Sequence, residues 1–415
     1  MRDLPGSAVA RLVGTDRLDV HFQPIVSLRT GQSLGHEALL RGYDGKRLIP
    51  PPELFQRADQ AGLGLTLERA ARALALDRFR QAYPSEGASP MLFLNFSARL
   101  VDDKALSPGR IAAACHDAGI PPARVALEIV ESGVEDLPAL RAFAERNRAS
   151  GFLISLDDFG TQHSNLERVA LVRPDIIKID RSIVSGAQRD SYRRSVLRSV
   201  TYLARTVGAF ALAEGVESYD DLLAAATEGV DLAQGYLFGR PGADLKAGEE
   251  HAEAVLADLL PRLTRDLSGL LADQTARQHR VTAELDGYIE RLRRSAEELR
   301  DTILEELVAE VREVECSFLL EPGGRQVSST VLKPGLQPRR SGSFFRPARR
   351  GESHTLKDYV YALTTLNQER YLTNVYVSNA SGRLCRTLAV RFTASGSEEL
   401  VLCVDIAHEE GMTLP

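Results

Sequence analysis

Residues 152–160 read Phe152-Leu153-Ile154-Ser155-Leu156-Asp157-Asp158-Phe159-Gly160, a short apolar run that ends in two adjacent carboxylates. A run of this kind, bounded by polar and turn residues, is the pattern of a buried strand. The same arrangement recurs on both sides. Residues 91–94 end in Asn95, 125–127 in Glu128, 176–177 in Lys178 with Asp180 just beyond, and 210–213 in Glu214, while Glu37 follows an apolar stretch around Leu34. Further runs at 20–25 and near Val230, with helix-periodic stretches such as 53–83 between them, complete an alternation of β and α segments. That count, over roughly 220 residues, suits a closed (β/α)8 barrel better than an open sheet, and the residues that end the strands then meet on the rim where such barrels keep their chemistry.

The whole chain has 415 residues, more than one hydrophobic core normally serves, and its 44% apolar and 26% charged composition is that of a globular protein. A net charge of −6 offers no broad attraction for DNA or anionic lipid, so a nucleotide partner has to be argued from local residues. Cys115, Cys316, Cys385 and Cys403 are scattered without zinc-ligand or disulfide-framework spacing and read as reduced thiols. With no leader-like N-terminus and no apolar run long enough to span a membrane, the expected location is cytoplasmic.

Three regions are expected: a barrel over residues 1–245, a helical linker over 246–314, and an α+β domain over 315–415. In the linker, Val281, Leu285, Tyr288, Leu292, Ala296, Leu299, Ile303 and Leu307 follow three- and four-residue steps. They read either as one stripe of a long amphipathic or coiled-coil helix or as a helix packed on its own domain. Pro261 is expected to start a turn or kink this segment. Beyond Cys316, strand-like runs at 318–320, 372–377, 384–392 and 400–406, with a hairpin turn at 379–382, resemble the PAS/Cache-like sensory modules. Residues 333–357 hold seven basic residues and one acidic one, a density able to attract an anion, although a solvated loop is the preferred reading.

Several carboxylates delivered to one rim are prohibitive to bury unless cations neutralise them, so the pattern implies metal. Oxygen donors with an asparagine amide, and no histidine or cysteine, favour Mg²⁺ or Mn²⁺ over zinc. Two such ions about 3.5–4 Å apart activate a water and clamp both oxygens of an in-line displacement at phosphorus.

Read in order, Gln23-Pro24-Ile25, Glu37-Ala38-Leu39-Leu40-Arg41, Leu94-Asn95, Glu128-Ile129-Val130-Glu131, Asp157-Asp158-Phe159-Gly160-Thr161, Ile177-Lys178-Ile179-Asp180, Ala213-Glu214-Gly215-Val216-Glu217 and Gln234-Gly235-Tyr236 closely resemble the EAL family. The resemblance implies a modified TIM barrel with an antiparallel first strand, which hydrolyses cyclic di-GMP to linear pGpG as a homodimer. It also implies residue roles. Glu37, Asn95, Glu128, Asp157, Asp158 and Asp180 match metal-site positions, and Lys178 and Glu214, with Glu37, match catalytic positions where the attacking water is placed or activated. Arg41 matches a contact to the substrate phosphate, with Gln23, Leu39 and Gln234 beside it, and Glu131 and Glu217 read as loop-bracing residues. The loop after the aspartates departs from the family at Gln162 and His163, and Val130 replaces a usual threonine. Two readings remain: an active phosphodiesterase regulated by the C-terminal domain, or a catalytically weak barrel that binds cyclic di-GMP as an effector.

Overall fold

The computed structural model describes residues 17–84, 90–97, 109–130, 136–160, 166–336 and 346–408. They fall into two compact units, one running to Leu267 and the other starting at Ser268. In the first unit the strands are β1 (Leu18–Ser27), β2 (Gln32–Asp44), β3 (Arg47–Ile49), β4 (Met91–Ser97), β5 (Val125–Val130), β6 (Leu153–Phe159), β7 (Ile176–Ile179), β8 (Phe210–Ala213) and β9 (Leu232–Gln234). All but β3 close into an eight-stranded barrel, and β3 extends β2 at its edge. Pairing is parallel from β2 through β4 to β9, whereas β1 is antiparallel to both of its neighbours. The reason is the connection: residues 28–31 alone link β1 to β2, and a parallel pair needs a crossover of a dozen or more residues.

Side chains alternate across a strand, so residues two apart enter the barrel at successive heights. Ile25, Phe93, Ala126, Ile176, Leu212 and Leu232 form one buried apolar cluster inside it. Two positions further along the parallel strands stand Asn95, Glu128, Lys178, Glu214 and Gln234. Strand β1 runs the other way, so its member is Gln23, two residues before Ile25 and opposite Glu37 in the β1–β2 register. A dry apolar plug therefore floors a polar layer.

Two local expectations change. Glu37 does not end a strand: it lies in the middle of β2, which continues through Arg41 to Asp44 because β1 pairs with it as far as Gly42 and β3 pairs with it from there to Asp44. The helical stretch at 53–83 is two helices, Pro51–Gln60 and Gly64–Ala82. They are parted at Gly62, whose φ of 68° is the left-handed conformation that ends helices and that glycine adopts without steric cost.

The second unit holds β10 (Val314–Leu320), β11 (Val331–Leu332), β12 (Arg370–Leu372), β13 (Tyr376–Val377), β14 (Leu384–Thr393) and β15 (Glu399–Ala407). The sheet order is β11-β10-β15-β14-β12, with β13 also on β14, and every pair is antiparallel. The run expected at 372–377 is split in two, since the Thr373 hydroxyl accepts the Thr387 N–H at 2.8 Å and interrupts the ladder. The turn expected at 379–382 is present, with Gly382 at φ 67°.

The helix Leu245–Arg294 contains Pro261 in its interior. Its Leu245, Ala252, Leu256 and Leu263 belong to the barrel's core, and Val281, Leu285, Tyr288 and Leu292 to the core of the second unit. The stripe does not continue on one helix. Ala296 is extended (φ −73°, ψ 159°), Leu299 is 55% exposed, and Ile303 and Leu307 lie on a separate helix, Arg300–Glu310. Among the described residues no helix is long and apolar enough to cross a membrane.

Candidate active site

Lys178, on the four-residue strand β7, is 1% exposed and occupies the centre of the polar layer. Its Nζ lies 2.8 Å from Glu214, 2.9 Å from Glu128, 3.1 Å from Asp157 and 3.5 Å from Glu37. One ammonium thus faces four carboxylates from four different strands. Burial alone opposes its charge, but Asp157, Glu128, Glu214 and Glu37 together hold its pKa well above the ordinary lysine value. Burial pushes the Glu128 carboxyl well above the usual range, with Glu37 and Asp157 adding repulsion that Lys178 only partly opposes. Glu214 is pushed up to about 8, again chiefly by burial.

Consecutive strand residues point to opposite faces, yet Asp157 and Asp158 both serve the rim. The β6–β7 register shifts between Leu156 and Phe159, and Asp158 takes φ 57°. This irregularity places Asp157, Asp158 and Glu214 so that one ligand oxygen from each lies within 4.8 Å of the others. Burial and the charge of Asp157 raise Asp158 to about 6. Asp180 follows β7 and spends one oxygen as a cap, accepting from the Ser182 N–H at 2.9 Å. Its charge still contributes to the repulsion felt by Asp158.

Amides order the other side. Asn95 Nδ2 donates to Glu37 Oε1 at 2.9 Å and Gln234 Nε2 donates to Glu37 Oε2 at 2.7 Å. With Lys178, these bonds outweigh the burial that would raise the Glu37 carboxyl and keep it below the usual range. Gln23 donates to the Gly239 carbonyl at 3.2 Å and lies 3.3 Å from Gln234, so it is committed within the barrel. Arg41 is half-buried, donates to the Leu40 carbonyl at 3.0 Å, and faces Tyr43, Glu37 and Tyr236. Leu39, Arg41 and Asn95 open onto a cavity of about 520 Å³ whose far wall includes Pro51, Pro52 and Phe55. That volume is within the ~300–1,000 Å³ of small-molecule sites.

The donor set fits hard divalent cations. Glu128 Oε2 and Gln234 Oε1 are buried without a hydrogen bond among the described residues, and Glu128 Oε1 meets only the shared Lys178 ammonium there, so acceptors stand ready in a layer whose carboxylates outnumber its one ammonium. Oxygen-only donors suit Mg²⁺ or Mn²⁺.

The polar layer brings together Gln23, Glu37, Asn95, Glu128, Asp157, Lys178, Glu214 and Gln234, with Asp158 beside it. Glu217 stands apart, held by Arg181 in a two-bond pair at 2.7 and 2.9 Å. Glu131 and the Gln162-His163 segment lie outside the described residues. Ser155 was not singled out by the sequence pattern. It faces Glu128 in the β5–β6 register, is fully buried, and its hydroxyl has no hydrogen bond among the described residues. The available signal was a lone polar residue inside the run Leu153-Ile154-Ser155-Leu156.

Comparison with known proteins gives a family match, the EAL domain, over residues 7–241. An uncharacterized protein of Azorhizobium caulinodans is 35% identical over 235 residues, covering 54% of this chain and 31% of its own length. The cyclic di-GMP phosphodiesterase RocR of Pseudomonas aeruginosa is 29% identical over 255 residues, 58% of this chain and 61% of RocR. The chain spans about a third of the length of the first curated relatives it matches. Among solved structures, the Bacillus subtilis YkuI protein, with an EAL domain and in complex with c-di-GMP and calcium, matches with a TM-score of 0.73 at 20% identity. It covers 98% of this chain and 100% of that one, a likeness of fold that extends through both units.

Proposed function

The chain belongs to the EAL domain family, and from that premise we propose that its barrel hydrolyses cyclic di-GMP to linear pGpG. The observation that carries the reading is the ring of Glu37, Glu128, Asp157 and Glu214 around Lys178. A module that only bound the dinucleotide has no need to hold four carboxylates and a lysine in a buried layer. The name of RocR, a cyclic di-GMP phosphodiesterase, supports the substrate.

Glu37, Asn95, Glu128, Asp157, Asp158 and Asp180 are the residues assigned to hold two Mg²⁺ or Mn²⁺ ions. Such ions, when bound, lower the pKa of a water and neutralise charge on the phosphodiester. The chain's own groups do the rest. Lys178 is fixed in place by its four carboxylates and orients the attacking water, while Glu214 Oε1, 2.8 Å from Lys178 Nζ, takes up the water's proton. Gln234, whose Nε2 is spent on Glu37, turns a free acceptor oxygen toward that water. Arg41 presents a planar fork suited to the substrate phosphate. Leu39 contributes to the apolar side of the cavity, and Gln23 sets the position of Gln234. Glu217 braces the rim through Arg181, and Glu131 is assigned the same kind of role. The second unit is proposed as the regulator, and a homodimer as the working assembly.

The test is hydrolysis of cyclic di-GMP by the full chain with Mg²⁺ or Mn²⁺, followed by chromatography, with Glu37→Ala as control. Formation of pGpG that disappears in the control supports the enzyme. Saturable binding without turnover overturns it in favour of an effector.

A further inference from the structure

The second unit contains a cavity of about 230 Å³ whose wall carries two cations, Arg346 and Lys357, and two carboxylates, Glu352 and Asp405. The charged groups that line it, and the histidine beside them, can be followed to their partners. Asp405 is 3% exposed, and its two oxygens accept from Thr387 Oγ1 at 2.7 Å, Ser378 Oγ at 2.7 Å and Tyr376 OH at 3.2 Å. Glu352 is paired with Arg346 at 2.8 Å. His354 places Nε2 2.9 Å from Gln326 Oε1, which only accepts, so Nε2 carries the proton and Nδ1 accepts from Tyr359 OH at 2.9 Å. Burial lowers the pKa of this ring, which keeps it neutral.

Lys357 is the exception. It is half-buried, its Nζ stands 5.3 Å from the centroid of the Tyr376 ring, and among the described residues that ammonium makes neither an ion pair nor a hydrogen bond. The basic stretch noted in the sequence is therefore not uniformly spent on solvent. Lys333 donates to the Val311 and Arg312 carbonyls and Arg346 pairs with Glu352, but Lys357 lines the cavity with an uncommitted ammonium.

We propose that this cavity binds a small organic carboxylate, its carboxylate group paired with Lys357 and its carbon body set against Phe318, Ala348 and Ala380. The charge follows from Lys357, since a partly desolvated cation gains most from an anion that can also accept hydrogen bonds. The organic character follows from the apolar walls, and the single charge from the single uncommitted cation. Inorganic phosphate, with close to two charges and no apolar surface, fits neither the walls nor the buried Asp405. The size follows from the volume, which exceeds the ~30 Å³ share of one water and falls below the ~300 Å³ of drug-sized sites.

The experiment is isothermal titration calorimetry of the full chain with the monocarboxylates acetate, propionate, lactate and pyruvate. Phosphate and chloride at matched ionic strength serve as controls. Saturable binding of at least one carboxylate is expected. Lys357→Gln should weaken it by about tenfold or more, the loss typical of one charge-assisted contact, and Lys357→Arg should retain it. Ala380→Leu, which fills the cavity and keeps every charge, should abolish binding, with circular dichroism confirming that each variant is folded. Absence of saturation by all four acids, equal binding by wild type and Lys357→Gln, or tighter binding of phosphate than of every carboxylate overturns the proposal. If Lys357→Gln does not fold, Ala380→Leu decides: retained binding in that variant places the ligand elsewhere.

Discussion

Lys178 Nζ and Glu128 Oε1 lie 2.9 Å apart on neighbouring parts of the barrel interior, with side-chain exposures of 1% and 0%. Neither charge can be satisfied by bulk water, and among the described residues the lysine is the one cation paired with Glu128, Asp157, Glu214 and Glu37. Removing one member of a buried ion pair commonly costs about 3–5 kcal/mol, because the other is left uncompensated. Lys178→Met should therefore lower the urea-unfolding free energy of the barrel by several kcal/mol. Millimolar Mg²⁺ should restore more stability to the variant than it adds to the wild type. Equal Mg²⁺ effects on both proteins would show that the carboxylate ring is not a cation site.

His36 provides a pH test away from that ring. It is fully buried on β2, Tyr83 OH donates to Glu249 at 2.6 Å, and Tyr83 lies 3.3 Å from His36 Nε2. The tyrosine has one proton, given to Glu249, so Nε2–H donates to Tyr83 and Nδ1 is left without a partner among the described residues. Protonating Nδ1 would bury an N–H with no acceptor, and burial accordingly lowers the pKa from 6.5 to about 4. The folded state thus resists a proton that the unfolded chain accepts. The contribution is fully present above pH 6.5 and is lost as pH falls through about 4, amounting at most to about 3 kcal/mol. His36→Leu should flatten the stability profile between those values, and parallel profiles for variant and wild type would refute the assignment.

Gly160 follows the paired aspartates at φ 109°, and a Cβ there would stand 2.1 Å from Ile183 Cδ1. Both the backbone conformation and the space exclude a side chain. Gly160→Ala should destabilise the barrel by more than about 1 kcal/mol, the scale of a backbone-incompatible substitution. Chemical denaturation measures it directly, and a neutral result would mean that the turn after β6 relaxes freely.

The Arg181–Glu217 pair leads to the opposite expectation. Its geometry is good, but the side chains are 56% and 35% exposed. Exposed pairs contribute about 0–1 kcal/mol, so Glu217→Gln should leave the unfolding free energy within that range. A larger loss would assign the pair a structural weight that its exposure does not suggest.

The β/α alternation was legible because most strands of the barrel contain a short apolar run followed closely by a residue the rim uses. The antiparallel first strand came from the family resemblance, and the short connection between β1 and β2 explains it. Less was legible where spacing persists across a break. The three- and four-residue rhythm from Val281 to Leu307 reads as one helix, yet the chain turns at Ser295-Ala296, because a periodicity survives a kink whenever the next helix buries the matching face in the same core. Glu37 was placed at a strand end because apolar runs stop where polar residues begin. In a barrel, polar residues also point inward, so β2 passes through Glu37 without ending.

The sequence by itself determined the identity and order of the groups in the polar layer: which strand carries the lysine, which the carboxylates and which the amides. That follows from the two-residue period, since a strand whose apolar residue joins the plug must present the residue two positions on at the next height. Only the tertiary structure decided how those groups share their charges. The bulge at Asp157-Asp158 turns both carboxylates to one side, Asn95 and Gln234 settle on Glu37, and Lys178 meets four acids from four strands. Closing the barrel brings Gln23 and Gln234, 211 positions apart in the chain, to within 3.3 Å of each other, and contacts of that range depend on a register that no local pattern encodes.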